Sequence, residues 1–248
     1  MADIIKLKNE LRKDMINLYK SKGYDYTVRS INNLVKNSNK KSKEVGQPQL
    51  AIQIRGECCE ILLELAILEY SRRKNLPWIC SKGLTLQRRD YKKGTTELDI
   101  TLFTPAQIIL FESKFRSGNI QLIDECRIVP DYGSVTDVYK QNMMHLDNLR
   151  RYLDSAVYNL SAGPPFALSL FIEPASRVKD NRTEKMKGMI PLISLDNITR
   201  YLDVIASKKQ VVWDINKLHE ILILLDSMSE ENFKQHMKGV AKRGRKRN

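Results

Sequence analysis

The chain has 248 residues, 42% hydrophobic and 29% charged, the balance of an ordinary globular protein able to bury one substantial core. No apolar run reaches the length of a membrane span, and the mixed-charge opening MADIIKLKNELRKD lacks the apolar stretch of a secretory signal, so a cytoplasmic protein without membrane partners is expected. The formal net charge of +13 is unevenly spread: residues 1–55 hold 12 Lys/Arg against 5 Asp/Glu, residues 233–248 hold 7 against none, and 56–232 are nearly balanced.

In chain order, Ile4, Leu7, Leu11, Met15 and Leu18 recur at helical spacing and predict a helix over 3–22. Val28, Ile31, Leu34 and Val35 predict a second, short helix over 27–38. The lysine-rich KNSNKKSKEVGQPQ (36–49) reads as a linker ending in Gly and Pro. The core then opens with a strong helix over 53–74, in which Ile61, Leu62, Leu65, Ile67 and Leu68 form a wide apolar face. Glu57, Glu60 and Glu64 stack along one stripe of it, at three- and four-residue spacings. Pro77 stops the helix.

Strands follow at GLTLQRRD (83–90), ELDITLF (97–103) and IILFESKF (108–115), the last two joined by a four-residue hairpin loop. A helix is predicted over 139–160 and a two-sided buried strand over 165–174. A short strand and helix follow over 189–205, and a last helix over 215–228 precedes the basic tail. The pattern is that of a mixed α/β sheet with helices on both sides. The expected layout is an N-terminal helical module and linker (1–50), a core (51–228) and a basic C-terminal tail (229–248).

Cys58, Cys59, Cys80 and Cys126 show no zinc spacing and read as reduced thiols; His145, His219 and His236 are scattered. Any metal site is therefore built from carboxylates, which suits a hard cation such as magnesium. The basic ends suit a polyanion partner, although basic tails also serve solubility alone.

The hairpin supplies the geometry. If Phe103 pairs with Ile108, Asp99 falls opposite Glu112, with Cβ atoms about 5 Å apart on one face. Two carboxylates so close repel unless a proton or a cation sits between them. Lys114 lies on that face roughly 7 Å further on, while Ser113 points away and offers its backbone carbonyl. Such a site can bind magnesium and hydrolyse a phosphodiester, with the lysine steadying the attacking water. On residue types alone, an exposed Glu–Lys pair at a strand end stands beside that reading.

Asp99, twelve residues, then Glu112-Ser113-Lys114 resembles the bipartite signature of the PD-(D/E)xK nuclease superfamily, with Leu98 where the name expects proline. RGECCE (55–60), ELDITLF, ILFESKFRSGNI with Gly118, and QNMMHLDNLRRYL from Gln141 resemble in order the nuclease-related domain (NERD) branch. They resemble archaeal Holliday-junction resolvases more distantly. The resemblance covers about residues 53–205. It implies a restriction-endonuclease-like core, Asp99 and Glu112 as ligands of Mg2+ (with Mn2+ substituting), Ser113 as a carbonyl ligand, and Lys114 as the catalytic lysine. It implies Glu60 as the helix acid and a further metal ligand, with Glu57 as runner-up, and Gln141 as a helix glutamine near the lysine or a phosphate. A solvent-facing Gln141 is equally compatible with the sequence. His145 reads as packing or DNA contact.

The activity implied is that of a Mg2+-dependent DNA endonuclease leaving 5′-phosphate and 3′-hydroxyl ends. The other readings are a sequence-specific restriction endonuclease of the same fold and a non-catalytic DNA-binding subunit. DNA contacts are expected from Arg116, Asn119 and the tail residues Lys242, Arg243, Arg245, Lys246 and Arg247. Cutting both strands calls for two active sites, so a homodimer is among the expected partners.

Overall fold

The structure is a computed structural model that describes residues 2–47, 49–87, 95–116, 118–131, 135–156 and 166–208, with Glu220 and Ile223. Three helices come first: α1 (Ala2–Lys22), α2 (Tyr24–Glu44) and α3 (Leu50–Lys74). The strand β2 (Thr95–Phe103) pairs antiparallel with both β1 (Ile79–Gln87) and β3 (Ile108–Phe115). Further strands follow before and after a long helix: β4 (Ile120–Ile123), β5 (Arg127–Pro130) and β6 (Thr136–Asp137), then α4 (Val138–Ala156), β7 (Phe166–Glu173) and β8 (Val178–Asp180). The described chain closes with α5 (Glu184–Met189), β9 (Leu192–Ile193) and α6 (Ile198–Ala206).

Two mixed sheets result. The larger has the order β1-β2-β3-β7-β9, with β7 parallel to β3 and β9 parallel to β7. The smaller has the order β6-β5-β4-β8. Leu146, Leu149 and Leu153 of α4 pack on Ile108 and Leu110 of β3, together with Ile120, Leu122 and Ile128 of the smaller sheet. On the opposite face, Cys59, Leu63 and Ile67 of α3 and Leu202 of α6 cover Ile100, Leu102, Ile109 and Phe111. This is the mixed α/β architecture with flanking helices expected from the sequence, and it has a restriction-endonuclease-like core.

Helix α3 is apolar almost all round because it is covered from two sides. One side meets the sheet; the other presents Ile54, Cys58, Ile61, Leu62 and Leu65 to α1 and α2. Asn75, in the left-handed region at φ 50°, ends it and directs the Leu76 N–H onto the Ser71 carbonyl at 3.0 Å.

The linker expected over 36–49 is largely helical, since α2 runs to Glu44. Its lysines face outward, while Ser38 and Ser42 are small enough to be buried and send their hydroxyls to the Val35 and Gln47 carbonyls at 2.7 and 2.5 Å. The N-terminal helices are also tied to α3 by polar contacts. Arg12 clasps Glu64 through two nitrogens, one at 2.9 Å, and the Tyr19 hydroxyl donates to Glu69 at 2.7 Å. The smaller sheet is an addition to what the sequence pattern predicts.

The four cysteines are free thiols. Among the described residues no helix is long and apolar enough to cross a membrane. The predicted helix 215–228, His219, His236 and the basic tail lie outside the described residues, apart from Glu220 and Ile223.

Candidate active site

The β2–β3 hairpin sets the site. Its loop is closed by Thr104, whose N–H donates to the Gln107 carbonyl at 3.0 Å and whose Oγ1 accepts the Ala106 and Gln107 N–H groups. Phe103 then pairs with Ile108, and the ladder continues through Leu102–Ile109 and Thr101–Leu110 to Ile100–Phe111. The ladder ends there, one step short of Asp99 and Glu112, whose carboxylates lie close enough for the charge of Glu112 to act on Asp99.

There the strands part. Instead of a backbone partner on β2, the Ser113 N–H donates to Asp99 Oδ2 at 2.8 Å. The Ser113 hydroxyl reaches the same oxygen at 3.3 Å, so this side chain does not simply point away as expected. Along a strand the N–H and C=O of one residue face the same edge, so the Ser113 carbonyl also faces the gap beside Asp99.

Glu112 is fully buried. The Lys114 ammonium pairs with its Oε1, while its Oε2 accepts no hydrogen bond and has His145 Nδ1 of α4 at 3.6 Å. Gln141, one helical turn before His145, lies close enough to favour the ionised form of Glu112. The structure thus brings together Asp99, Glu112, Ser113, Lys114, Gln141 and His145.

Helix α3 closes the other side with a charge cluster of its own. Lys82 of β1, largely buried, bonds Glu57 Oε1 at 2.8 Å and Glu60 Oε2 at 2.7 Å. Lys8 of α1 stands 3.6 Å from the second oxygen of Glu57. Lys82 is the residue that sequence reading missed. Its signal lay in the strand ICSKGLT: antiparallel pairing sets Lys82 opposite Ile100, next to Asp99.

The electrostatics follow from burial and like charge. Burial first, then the facing Glu112, pushes the Asp99 carboxyl up to about 7, against the pull of Lys114 and the Ser113 N–H. Burial likewise pushes Glu60 up to about 7; Lys82 opposes this, and Asp99 and Glu57 add to it. Glu112 is raised by burial and by Glu60, with Lys114 opposing. Burial disfavours the Lys114 ammonium, but Glu112 and Asp99 outweigh it and hold the lysine charged.

Among the described residues, no three His, Cys, Asp or Glu side chains form a ready metal cage. What the site offers is an all-oxygen donor set: Asp99, the Oε2 of buried Glu112, which accepts no hydrogen bond, and a nearby carbonyl. That fits a magnesium-like ion, which keeps several waters and takes one or two carboxylates.

Of the expected DNA contacts, Arg116 is half-buried and tied to the smaller sheet, donating to Thr136 Oγ1 at 3.2 Å, with its Nε buried and unpartnered. Asn119 is exposed, and its carbonyl accepts the Asp131 N–H. The tail residues lie outside the described residues.

Mixed sheets flanked by helices form a restriction-endonuclease-like core, and the carboxylates and lysine gather where two of its strands cease to pair. Residues 60–172 match the family model of the nuclease-related domain, a model of the PD-(D/E)xK-like nuclease branch. Glu60, Asp99, Glu112, Lys114 and Gln141 all fall inside the match. No curated protein matches the chain. Among solved structures, the crystal structure of AF1548, a protein of unknown function, aligns over 70% of this chain and 92% of its own, with 10% identity and a TM-score of 0.31.

Proposed function

We propose that the protein is a Mg2+-dependent DNA endonuclease that hydrolyses phosphodiester bonds to 5′-phosphate and 3′-hydroxyl ends. The observation that carries this reading is the proximity of Asp99 and Glu112 just beyond the last paired rung of β2 and β3, with Lys114 held charged against them. Asp99 and Glu112 would hold the ion, with the Ser113 carbonyl available beside them. When bound, the ion supplies Lewis acidity to the scissile phosphate and to the attacking water. Lys114 orients that water and offsets charge growing on the phosphate; this costs no reorganisation, since Glu112 already fixes its ammonium. Gln141 steadies Glu112 from the α4 side. Arg116, Asn119 and the basic tail would bind the DNA backbone.

The test is a cleavage panel of supercoiled, linear, single-stranded and branched DNA, with magnesium, manganese or EDTA. Metal-dependent products from the wild type, abolished in Asp99→Ala and Lys114→Ala, are expected. Full activity in either variant would remove the site assignment. DNA that is retarded but never cut would point instead to a binding subunit.

A further inference from the structure

The site contains two acid pairs, and they are furnished differently. Asp99 and Glu112 lie close together just beyond the last paired rung of β2 and β3, with one buried carboxylate oxygen accepting no hydrogen bond. Glu57 and Glu60, one helical turn apart on α3, already share a cation. The Lys82 ammonium sits 2.8 Å from an oxygen of one and 2.7 Å from an oxygen of the other, inside the fold. A nitrogen bridging two carboxylates, one buried and one partly so, at those distances occupies the place a bridging metal ion would take. Lys82 is held there from both directions. It stands on β1, opposite Ile100 and next in register to Asp99, while Lys8 of α1 braces Glu57 from outside.

We propose that Lys82 is a positioning residue that substitutes for a second metal ion, so that the site takes a single divalent cation, at Asp99 and Glu112. This rests on the reading of Asp99 and Glu112 as the metal-binding pair. In two-ion nucleases a second ion faces the first at roughly 4 Å and clamps the leaving oxygen. Here a lysine fixes the helix acids instead, and Glu60 is kept on the ammonium through Oε2. Removing the ammonium while keeping its length and volume uncovers a second site of two carboxylates.

The experiment is calorimetric titration of the full-length protein with manganese chloride, without DNA. The expected counts are one ion for the wild type, two for Lys82→Met, and one again for Lys82→Met combined with Glu57→Gln. Manganese should also raise the melting temperature of Lys82→Met more than that of the wild type. Two ions in the wild type, or one in folded Lys82→Met, overturns the proposal. Electron paramagnetic resonance of the manganese-loaded wild type gives an independent reading that needs no variant: isolated ions are expected, and a spin-coupled pair overturns it. Asp99→Asn separates the underlying reading from this one. If it keeps the wild-type ion at full affinity, the Asp99–Glu112 site itself is wrong, whatever Lys82 does.

Discussion

The backbone N–H of Ser113 donates to Asp99 Oδ2 at 2.8 Å, across the point where β2 and β3 cease to pair. The carboxylate thereby does two jobs: it completes the sheet where the ladder ends, and it faces Glu112. These jobs separate chemically. In Asp99→Asn the amide oxygen still accepts the Ser113 N–H, so the hairpin should persist while the charge is gone. Activity should fall by roughly 10²-fold or more, and in EDTA at pH 8 the variant should be more stable than the wild type by about 1 kcal/mol. Chemical denaturation beside the cleavage assay checks both. Asp99→Ala would instead leave that N–H unpaired and lose stability.

The same carboxyl sets a pH dependence. Asp99 and Glu60 stand near 7 in the folded chain, against ordinary values near 4. Between those limits the folded state keeps protons that the unfolded chain has released. Their contribution to stability is therefore complete below about pH 4 and drains away as the pH rises through 7. The wild type should lose stability relative to Asp99→Asn between pH 5 and 8, by up to about 1.4 kcal/mol per pH unit. Metal affinity runs the other way, because the ion displaces those protons. Titrations at pH 6 in two buffers of different ionisation enthalpy should show proton release that disappears by pH 9.

Arg12 on α1 holds Glu64, which is 3% exposed on α3. Arg12→Ala removes a two-pronged, charge-assisted interaction and leaves a buried carboxylate without this partner. A loss of roughly 1.5–3 kcal/mol is expected, discounted toward the lower figure because the guanidinium is partly exposed. The denaturation midpoint should shift with an unchanged slope. No loss would mean that α1 rests on α3 through its apolar side chains alone.

The tail carries Lys242, Arg243, Arg245, Lys246 and Arg247. If these neutralise DNA phosphates, truncation after Ala241 should flatten the dependence of log affinity on log salt, by roughly 0.9 for each phosphate left without its cation. Fluorescence anisotropy with labelled duplex from 50 to 200 mM salt measures it. An unchanged slope assigns the tail to solubility.

How far the chain could be read in advance differed from element to element. Strand β3 was legible to its last residue because it follows a short loop with a run buried from Ile108 to Ser113, and that loop fixed the register from Phe103–Ile108 to Ile100–Phe111, one step short of Asp99 and Glu112. The smaller sheet was not, since strands of two to four residues are too short to carry a period. Residues 36–44 misled for another reason: buried serines look like linker composition until a neighbouring helix is close enough to cover them. Lys82 was hidden because its meaning is wholly tertiary. Nothing local says that a strand lysine will meet two glutamates from a helix some twenty residues earlier.

The match to the nuclease-related domain begins at Glu60, inside α3. The same helix carries Glu57 and Cys58 just upstream, and its outer face of Ile61, Leu62 and Leu65 is roofed by α1 and α2. A fragment trimmed to the matched length would start in mid-helix, lack one of the two acids that hold Lys82, and bare an apolar stripe to water. Resemblance and packing thus have different borders in this chain: the matched stretch is shorter than the set of helices that keeps α3 covered, and assays should begin with the N-terminal helices in place.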